Sequence, residues 1–374
     1  MKSRVSLTSL NKATKRPTRI IYLDLLRILA SFFVVLIHVL KIFWDRSATN
    51  EQFVVITMFD TVAYVAVPLF FMISGAIFLS PKLLARVKTA KLAFKYIAIY
   101  IGWTIFYVGL RAILVQLSRQ EIGLDLPTDY YADILHYHLW FLPQLIILYF
   151  LAPYIRKIIN HSTRREVKNL LKLFIFGVLV RTLWGIIYEV ITQQMSGNWS
   201  SIDMSLLARI ASMVSPFSES FAISAGYFMI GYYLHNFQLS SKTRVKLYTA
   251  ATVGYIFSVV LMLATQRGNL ALSNFSVSIL LMSAAFFVFF KQNIPQPKSA
   301  IESRALTFWA EQTLGIYLVH PIFIDLLVGK FDWPKTANFT LRAVFTAIVM
   351  YAFSFVLVAV FNVSRKWVHR QIKT

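Results

Sequence analysis

Residues 20–40 read IIYLDLLRILASFFVVLIHVL, and this run has the length and composition of a helix that crosses a membrane. About 20 apolar residues span a hydrocarbon core of about 30 Å as a helix. Comparable runs recur along the 374 residues, of which 57% are hydrophobic and 14% charged. A soluble domain carries about 25% charged residues, and barrel strands would alternate in hydrophobicity. The sequence therefore predicts an all-α transmembrane helix bundle.

Ten apolar runs are long enough to cross the membrane, so we predict about ten transmembrane helices. They lie near residues 20–40, 54–79, 92–117, 140–159, 169–190, 218–236, 246–265, 271–290, 305–328 and 341–363. The chain then divides into a basic tail over residues 1–19, one transmembrane domain over residues 20–363 and a short tail over residues 364–374. Because so little follows the last predicted helix, we expect no further soluble domain.

The basic residues predict the orientation of the bundle. Cytoplasmic loops retain Lys and Arg, while loops on the opposite side carry few. Most of the 38 Lys and Arg residues fall in the two tails and in alternate loops, and the loop near residues 118–139 on the other side is acidic. An even number of helices follows, with both termini in the cytoplasm.

Charge and cysteine content exclude several kinds of function. The formal net charge is +22, but the basic residues lie between apolar runs rather than on one soluble face, so we expect no nucleic-acid binding. The chain has no cysteine, which excludes a disulfide, a thiol nucleophile and a cysteine-ligated zinc.

Three ionisable residues in the first predicted helix are candidate site residues. Eleven residues turn a helix by about 1100°, close to three revolutions, so Arg27 and His38 share one face about 16 Å apart. Asp24 lies three residues before Arg27 and can pair with it. Ionisable groups inside a membrane are costly, and such positions are often functional. The alternative is a structural ion pair, with His38 bonding to a neighbouring helix.

Two further histidines are expected at the same depth as His38. His138 opens the fourth predicted helix from the outer side, and His320 lies in the outer half of the ninth. A neutral imidazole can take a proton from a hydroxyl near neutral pH. A cluster of histidines also suggests a metal, but no spacing matches His-Glu-x-x-His, and we expect no metal site.

Two other polar positions are candidates with a simple structural alternative. Arg181 lies deep in the fifth predicted helix, where it would contact substrate or pair with a carboxylate or backbone carbonyls. Ser74 precedes Gly75 in the second helix, and small residues of this kind permit close helix packing. An acyl-accepting role for Ser74 is the alternative.

These segments resemble those of the acyltransferase-3 family of polytopic membrane acyltransferases. That family begins with an arginine and a histidine separated by ten residues in the first helix, as Arg27 and His38 are here. Three further segments resemble family motifs: residues 67–75, residues 138–142 and residues 315–320. The resemblance runs through nearly the whole chain, and it is to members that lack a C-terminal hydrolase-like domain.

The resemblance implies an O-acyltransferase that moves an acyl group, usually acetyl, to a hydroxyl of a cell-envelope polysaccharide or other glycan, or of a lipid-linked saccharide. Acetyl-CoA, or another acyl-CoA such as succinyl-CoA, would be a co-substrate rather than a bound cofactor. The implied location is a bacterial plasma membrane, and the partners are the acyl-CoA donor, the acceptor and membrane lipids.

The resemblance also implies roles for individual residues. Arg27 and His38 would be essential, with His38 as the general base and His320 as a further catalytic residue. The expected substrate-binding residues are Asp24, His138, Trp140, Tyr317, Arg181, Arg86 and Lys88. Arg86 and Lys88 are an imperfect match to a basic pair that some members carry after the second helix.

Several of these residues fit a common reaction scheme. The phosphates of coenzyme A would meet the cytoplasmic basic loops and Arg27, because arginine binds phosphate through charge-assisted hydrogen bonds. The oxyanion formed during transfer would need a donor such as His320, Tyr317 or Trp140.

Two other classes of protein compete with this interpretation. A transporter or flippase for a glycan or its lipid-linked precursor would use the same buried charges, although no inverted repeat is visible in the sequence. A membrane sensor or scaffold would not depend on His38.

Overall fold

The computed structural model describes residues 19–45, 49–80, 89–119, 138–194, 220–265, 276–295, 300–327 and 339–371. All regular secondary structure in these residues is helical. The α-helices are α1 Ile21–Asp45, α2 Asn50–Ala63, α3 Ala66–Phe78, α4 Thr89–Arg119, α5 Phe141–His161, α6 Arg164–Gln194, α7 Ser220–Asn236, α8 Ser241–Thr265, α9 Val277–Asn293, α10 Ala300–Leu327 and α11 Phe339–Gln371. A 3-10 helix, His138–Trp140, leads into α5. The predicted all-α transmembrane bundle of about ten helices is confirmed, with α2 and α3 together forming the second span.

Seven stretches of the described chain are long and apolar enough to cross a membrane: Ile21–Trp44, Asn50–Phe78, Thr89–Leu110, His138–His161, Arg164–Ile187, Ser241–Ala264 and Phe339–Val368. The helices α7 and α9 have 17 residues each, about 26 Å in length. α10 is longer but carries Gln312, Thr313 and His320, which are buried against other helices. Its polarity is therefore compatible with a membrane position, because these side chains do not face lipid.

α1 is the central helix and packs against α2, α3, α9, α10 and α11. By contrast, α4, α6 and α8 expose large apolar side chains such as Ile105, Phe176 and Phe257 on their outer faces. Exposed apolar side chains of this kind are expected where the surrounding solvent is lipid. Asp24 and Ser31 of α1 accordingly lie inside the bundle, whereas Lys41 near the end of the helix is exposed.

Two glycines bring α3 and α7 into direct contact. A Cβ at Gly75 would collide with the backbone of Phe228, and a Cβ at Gly231 would collide with the backbone of Met72. Small residues permit such approach of helices in membranes. This contact holds α3, and with it Ser74, against α7 on one side and α1 on the other.

Polar contacts bring several helix ends together at one end of the bundle. Glu311 accepts hydrogen bonds from Arg19 at 3.4 Å and from Lys366 at 3.2 Å. The start of α1 and the last turns of α11 therefore lie together. The Tyr22 hydroxyl oxygen lies 2.5 Å from Nδ1 of His235, which brings the end of α7 to the same place.

The start of α6 and the end of α9 also lie at this end. The Arg164 guanidinium carbon lies 4.8 Å from the ring centroid of Phe237, which follows α7. Lys291 donates a hydrogen bond of 2.6 Å to the carbonyl of Leu234. We call this the basic end of the bundle. It is the end that the charge distribution predicts to be cytoplasmic, and that orientation stays a prediction.

Candidate active site

Three histidines from distant parts of the chain meet inside the bundle. The rings of His38 on α1 and His320 on α10 are stacked, with centroids 5.1 Å apart and an interplanar angle of 17°. The ring of His138 in the 3-10 helix meets His320 edge to face at 5.4 Å and 78°. His320 and His138 are buried, whereas His38 is partly exposed. The structure thus places the three predicted histidines in one cluster.

The backbone of α10 determines which nitrogen of His320 carries a proton. Pro321 has no N–H, so it cannot make the helical hydrogen bond to the carbonyl of Tyr317, four residues earlier. Nδ1 of His320 lies 2.8 Å from that carbonyl oxygen and 3.2 Å from the carbonyl oxygen of Ile316. A carbonyl only accepts, so Nδ1 must donate, and the lone pair of the neutral ring is on Nε2.

The atom Nε2 of His320 is buried and has no hydrogen-bond partner among the described residues. A buried polar atom of this kind is unfavourable unless a ligand or water meets it. In this tautomer it can accept a proton or a hydrogen bond from a substrate hydroxyl. The His-Pro pair is therefore a sequence signal for an oriented base.

Two tyrosines hold the histidine cluster together. The Tyr317 hydroxyl donates to the carbonyl of His138, and the Tyr107 hydroxyl donates to the carbonyl of Leu318. The ring of Tyr107 also packs edge to face on His138, with centroids 5.2 Å apart. These contacts join the 3-10 helix, α4 and α10. In this conformation the Tyr317 O–H donates to the backbone of the 3-10 helix and therefore does not donate to an oxyanion.

Sequence reasoning missed Tyr107. It lies on α4, where Tyr96, Tyr100, Trp103 and Phe106 are also aromatic. Nothing in that pattern separates a buried tyrosine from those on the half-exposed or lipid-facing surface of the helix.

At the basic end, two arginines share the carboxylate of Asp24. The Arg19 Nε lies 2.5 Å from Oδ2, and the Arg27 guanidinium lies 3.4 Å from Oδ1. Asp24 is buried, while both arginines keep about a third or less of their side-chain surface exposed. The predicted pair of Asp24 and Arg27 is thus present, but Arg19 makes the shorter contact.

Sequence reasoning placed Arg19 in the N-terminal tail and did not single out Glu311. The contact between Arg19 and Glu311 extends the ionic network from α1 to α10. A glutamate within a predicted membrane span was the available signal for this residue.

A cavity of about 300 Å³ extends from this ionic network to Tyr317, which lies beside the histidine cluster, although none of the three histidines lines the cavity. We call it the central cavity. Arg19, Arg27 and Glu311 line it, and so does Tyr317, whose ring lies 5.6 Å from His138 and 6.2 Å from His320 between centroids. Phe70, Phe141, Leu145 and other apolar side chains complete its walls. The volume is at the lower end of the range for small-molecule sites, about 300–1,000 Å³.

Ser74 also lines the central cavity, beside Tyr96 and Tyr149. The Tyr149 hydroxyl is hydrogen-bonded to both Ser74 and Tyr96. Ser74 therefore has a phenol as its hydrogen-bonding neighbour, whereas a serine nucleophile is usually activated by an imidazole or another base. The contact supports a role in lining the cavity.

The structure does not bring all the predicted site residues to this cavity. Arg181 lies beside the buried Tyr227, and both are on helices away from the central cavity. Trp140 is partly buried at the end of the 3-10 helix and packs on the main apolar core. Arg86 and Lys88 lie outside the described residues. Among the residues that are described, no group of three His, Cys, Asp or Glu side chains is placed to hold a metal ion.

The fold and the site define a polytopic membrane protein in which a cavity extends from ion-paired arginines to a tyrosine beside a cluster of histidines. The chain belongs to the acyltransferase-3 family of membrane acyltransferases, because the family's sequence model, described as "Acyltransferase domain", matches residues 20–359. The resemblance seen in the sequence is thereby confirmed.

Two curated relatives match part of the chain. The serine/alanine racemase of Enterococcus gallinarum is 26% identical over 268 residues, which cover 64% of this chain and 37% of the relative. The amino-acid racemase of Enterococcus faecalis is 27% identical over 168 residues, 45% of this chain and 23% of the relative. The chain thus spans well under half the length of either relative. No solved structure matches it.

Proposed function

We propose that this protein transfers an acyl group, most simply acetyl, from acyl-CoA to a hydroxyl of a cell-envelope glycan or lipid-linked saccharide. One observation carries the proposal: the central cavity has arginines at the basic end and reaches Tyr317, whose ring neighbours two of the three clustered histidines. The family membership supports acyl transfer, and the geometry supports a donor and an acceptor that meet at the histidines. The names of the two racemases describe longer proteins, and we do not extend racemisation to this chain.

The donor would enter from the basic end. Coenzyme A carries several phosphates, and guanidinium groups bind phosphate oxygens through paired, charge-assisted hydrogen bonds. Arg27 is held by Asp24 and still reaches the central cavity, so it is oriented before the donor arrives. The apolar walls near Phe141 and Leu145 suit the thioester end of the molecule.

The acceptor hydroxyl would lose its proton to His38, which is the more exposed ring of the stacked pair. The hydroxyl oxygen attacks the thioester carbonyl, the carbon–sulfur bond breaks, and the imidazolium returns the proton to the departing thiolate. The product is an ester and free coenzyme A, so the atoms balance.

The other residues of the cluster would support this step. His320 donates from Nδ1 to the backbone, so its Nε2 serves as a second acceptor and not as a donor to the oxyanion. Tyr317 positions the 3-10 helix through the carbonyl of His138. Of the three oxyanion donors that the sequence suggests, Tyr317 and His320 donate to backbone carbonyls, and Trp140 does not line the central cavity.

The test is acyl release from radiolabelled acetyl-CoA by purified protein in nanodiscs. We expect His38→Ala to lower turnover about 100- to 10,000-fold, the usual contribution of a general base. His161→Ala is the matched control, since His161 is exposed at the end of α5 and bonds only to its own helix backbone among the contacts described. It should keep full activity.

The competing transporter interpretation predicts a different result. A folded wild-type protein that neither binds nor turns over acetyl-CoA or succinyl-CoA, but moves a glycan across the bilayer, would contradict the proposal. Equal activity of His38→Ala and wild type would contradict the role of His38 alone.

A further inference from the structure

A second and larger cavity lies between α6, α7, α8 and α9, away from the histidines. Its volume is about 700 Å³, and it shares no lining residue with the central cavity. We call it the basic groove, because its mouth at the basic end is lined by Arg164, Lys168 and Lys172 of α6. Nothing in the acyl transfer proposed above uses it.

The cations of the basic groove are arranged along one helix face. Arg164, Lys168 and Lys172 follow each other at intervals of four residues, and such residues are neighbours on a helix surface. Within the described residues no carboxylate pairs with any of the three. The nearby Glu166 is engaged by the backbone N–H and hydroxyl of Thr163. The mouth therefore carries positive charge that the described protein does not compensate.

Hydrogen-bonding groups lie on the opposite side of the mouth. Ser240 and Thr243, at the start of α8, line the groove there, and their hydroxyls are 2.8 Å apart. Cations on one side and hydroxyls on the other are a suitable set of donors for phosphate oxygens.

The rest of the groove is apolar. Leu171 and Ile175 of α6, Leu247 of α8, and Leu281 and Ala284 of α9 line its walls. Except for Leu171, these side chains are at least partly exposed although four helices surround them. Ile175 lines the groove and is also one of the large apolar side chains exposed on α6, so this wall adjoins the surface that we expect to face lipid. An apolar surface of this depth is costly to leave in contact with water.

We propose that the basic groove binds an anionic phospholipid from the leaflet at the basic end. The phosphate lies between the three cations of α6 and the hydroxyls of α8, and an acyl chain lies along the apolar walls. Inorganic phosphate or a soluble phosphate ester would leave those walls uncovered, and a neutral lipid would leave the cations uncompensated. The inference does not depend on the acyltransferase reaction.

The test is lipid retention by the purified full chain, followed by native mass spectrometry. Delipidated protein is titrated with phosphatidylglycerol or with phosphatidylcholine of the same acyl chains. We expect wild type to prefer phosphatidylglycerol, and Lys168→Gln/Lys172→Gln to weaken that binding about tenfold or more, since each lysine near a membrane surface contributes to attraction of anionic lipid.

The matched control is Lys157→Gln/Arg165→Gln. It removes the same charge at the same end, but neither residue lines the groove. Control binding equal to wild type supports the site, whereas equal weakening in both double variants would show general attraction to a basic surface and would overturn the proposal.

The apolar half of the site is tested with Ala284→Phe. Ala284 is partly exposed in the groove, so the larger side chain should fill the space for the acyl chain. We expect phosphatidylglycerol binding to fall severalfold without a change in thermal unfolding, and Leu281→Ser is the second variant if Ala284→Phe does not fold. Displacement of the lipid by glycerol phosphate or acetyl-CoA at equal concentration would exclude a lipid site.

Discussion

The central cavity and the basic groove both carry cations at the basic end, but they differ in how those cations are compensated. In the central cavity, Arg19 and Arg27 lie against the buried carboxylate of Asp24. In the basic groove, the three cations of α6 have no carboxylate partner among the described residues. An ion pair holds a side chain in one geometry, whereas uncompensated cations attract many anions. The first arrangement suits a positioned substrate, and the second suits an abundant lipid.

The interiors of the two cavities also differ, because one contains polar groups and the other is mainly aliphatic. The central cavity contains the hydroxyls of Ser74 and Tyr149 and reaches Tyr317 beside the histidines. The walls of the basic groove below its mouth are mainly aliphatic. Polar groups at fixed positions give a cavity specificity, while aliphatic walls accept any chain of suitable width. The comparison predicts that chemistry and lipid binding can be altered separately.

The largest expected effect is on the chemical step. His320→Ala removes Nε2, the second acceptor beside His38, and should lower turnover about 100-fold, the lower end of the range for acid–base groups. Phosphatidylglycerol retention should not change, because His320 does not line the basic groove. Radiolabelled acyl release and native mass spectrometry measure the two properties on one preparation. If a folded variant lost both turnover and phosphatidylglycerol retention, the prediction that the two sites act separately would be wrong.

A smaller effect is expected from the cation of the central cavity. Arg27→Gln should raise the KM for acetyl-CoA about tenfold and leave kcat within a few-fold of wild type, because a phosphate contact remote from the reacting atoms contributes mainly to binding. Steady-state kinetics with acetyl-CoA as the varied substrate gives both constants.

The control for this change is Arg304→Gln, which removes an exposed arginine of α10 that does not line the cavity. Its KM should equal that of wild type. If Arg27→Gln lowered kcat alone, Arg27 would contribute to the chemical step rather than to binding of the donor.

The smallest effect is expected from Pro321→Ala. The new backbone N–H can bond to the carbonyl of Tyr317 and compete with Nδ1 of His320, a change of about one hydrogen bond, roughly 1 kcal/mol. Turnover should fall about fivefold, and the pH–rate profile should shift because the tautomer of His320 is no longer determined. Pro153→Ala, at an exposed proline inside α5, should show neither change. An unaltered profile in Pro321→Ala would contradict the tautomer argument.

Helix periodicity was sufficient to predict part of the site. The eleven-residue interval between Arg27 and His38 places both on one face of α1 whatever surrounds the helix. The three histidines were expected together because each falls in the same half of its span. The contact between Asp24 and Arg19 was harder to predict. Arg19 belongs to a basic tail in the sequence, and its contact depends on the backbone conformation just before α1.

The fold class and the family of this protein can be recognised from the order of its amino acids alone. Long apolar runs require helices, because backbone groups in lipid must be paired within the segment. The motif spacing is likewise local, and it indicated Arg27, His38 and His320 as site residues.

Which side chains meet depends instead on how the helices pack. The stacking of His38 on His320, the edge-to-face contact of Tyr107 with His138 of the 3-10 helix and the basic groove lined by α6 to α9 all involve helices that are distant in the chain. Apolar faces that pack on protein and apolar faces that pack on lipid have the same composition. The sequence therefore does not distinguish them, and the helix packing does.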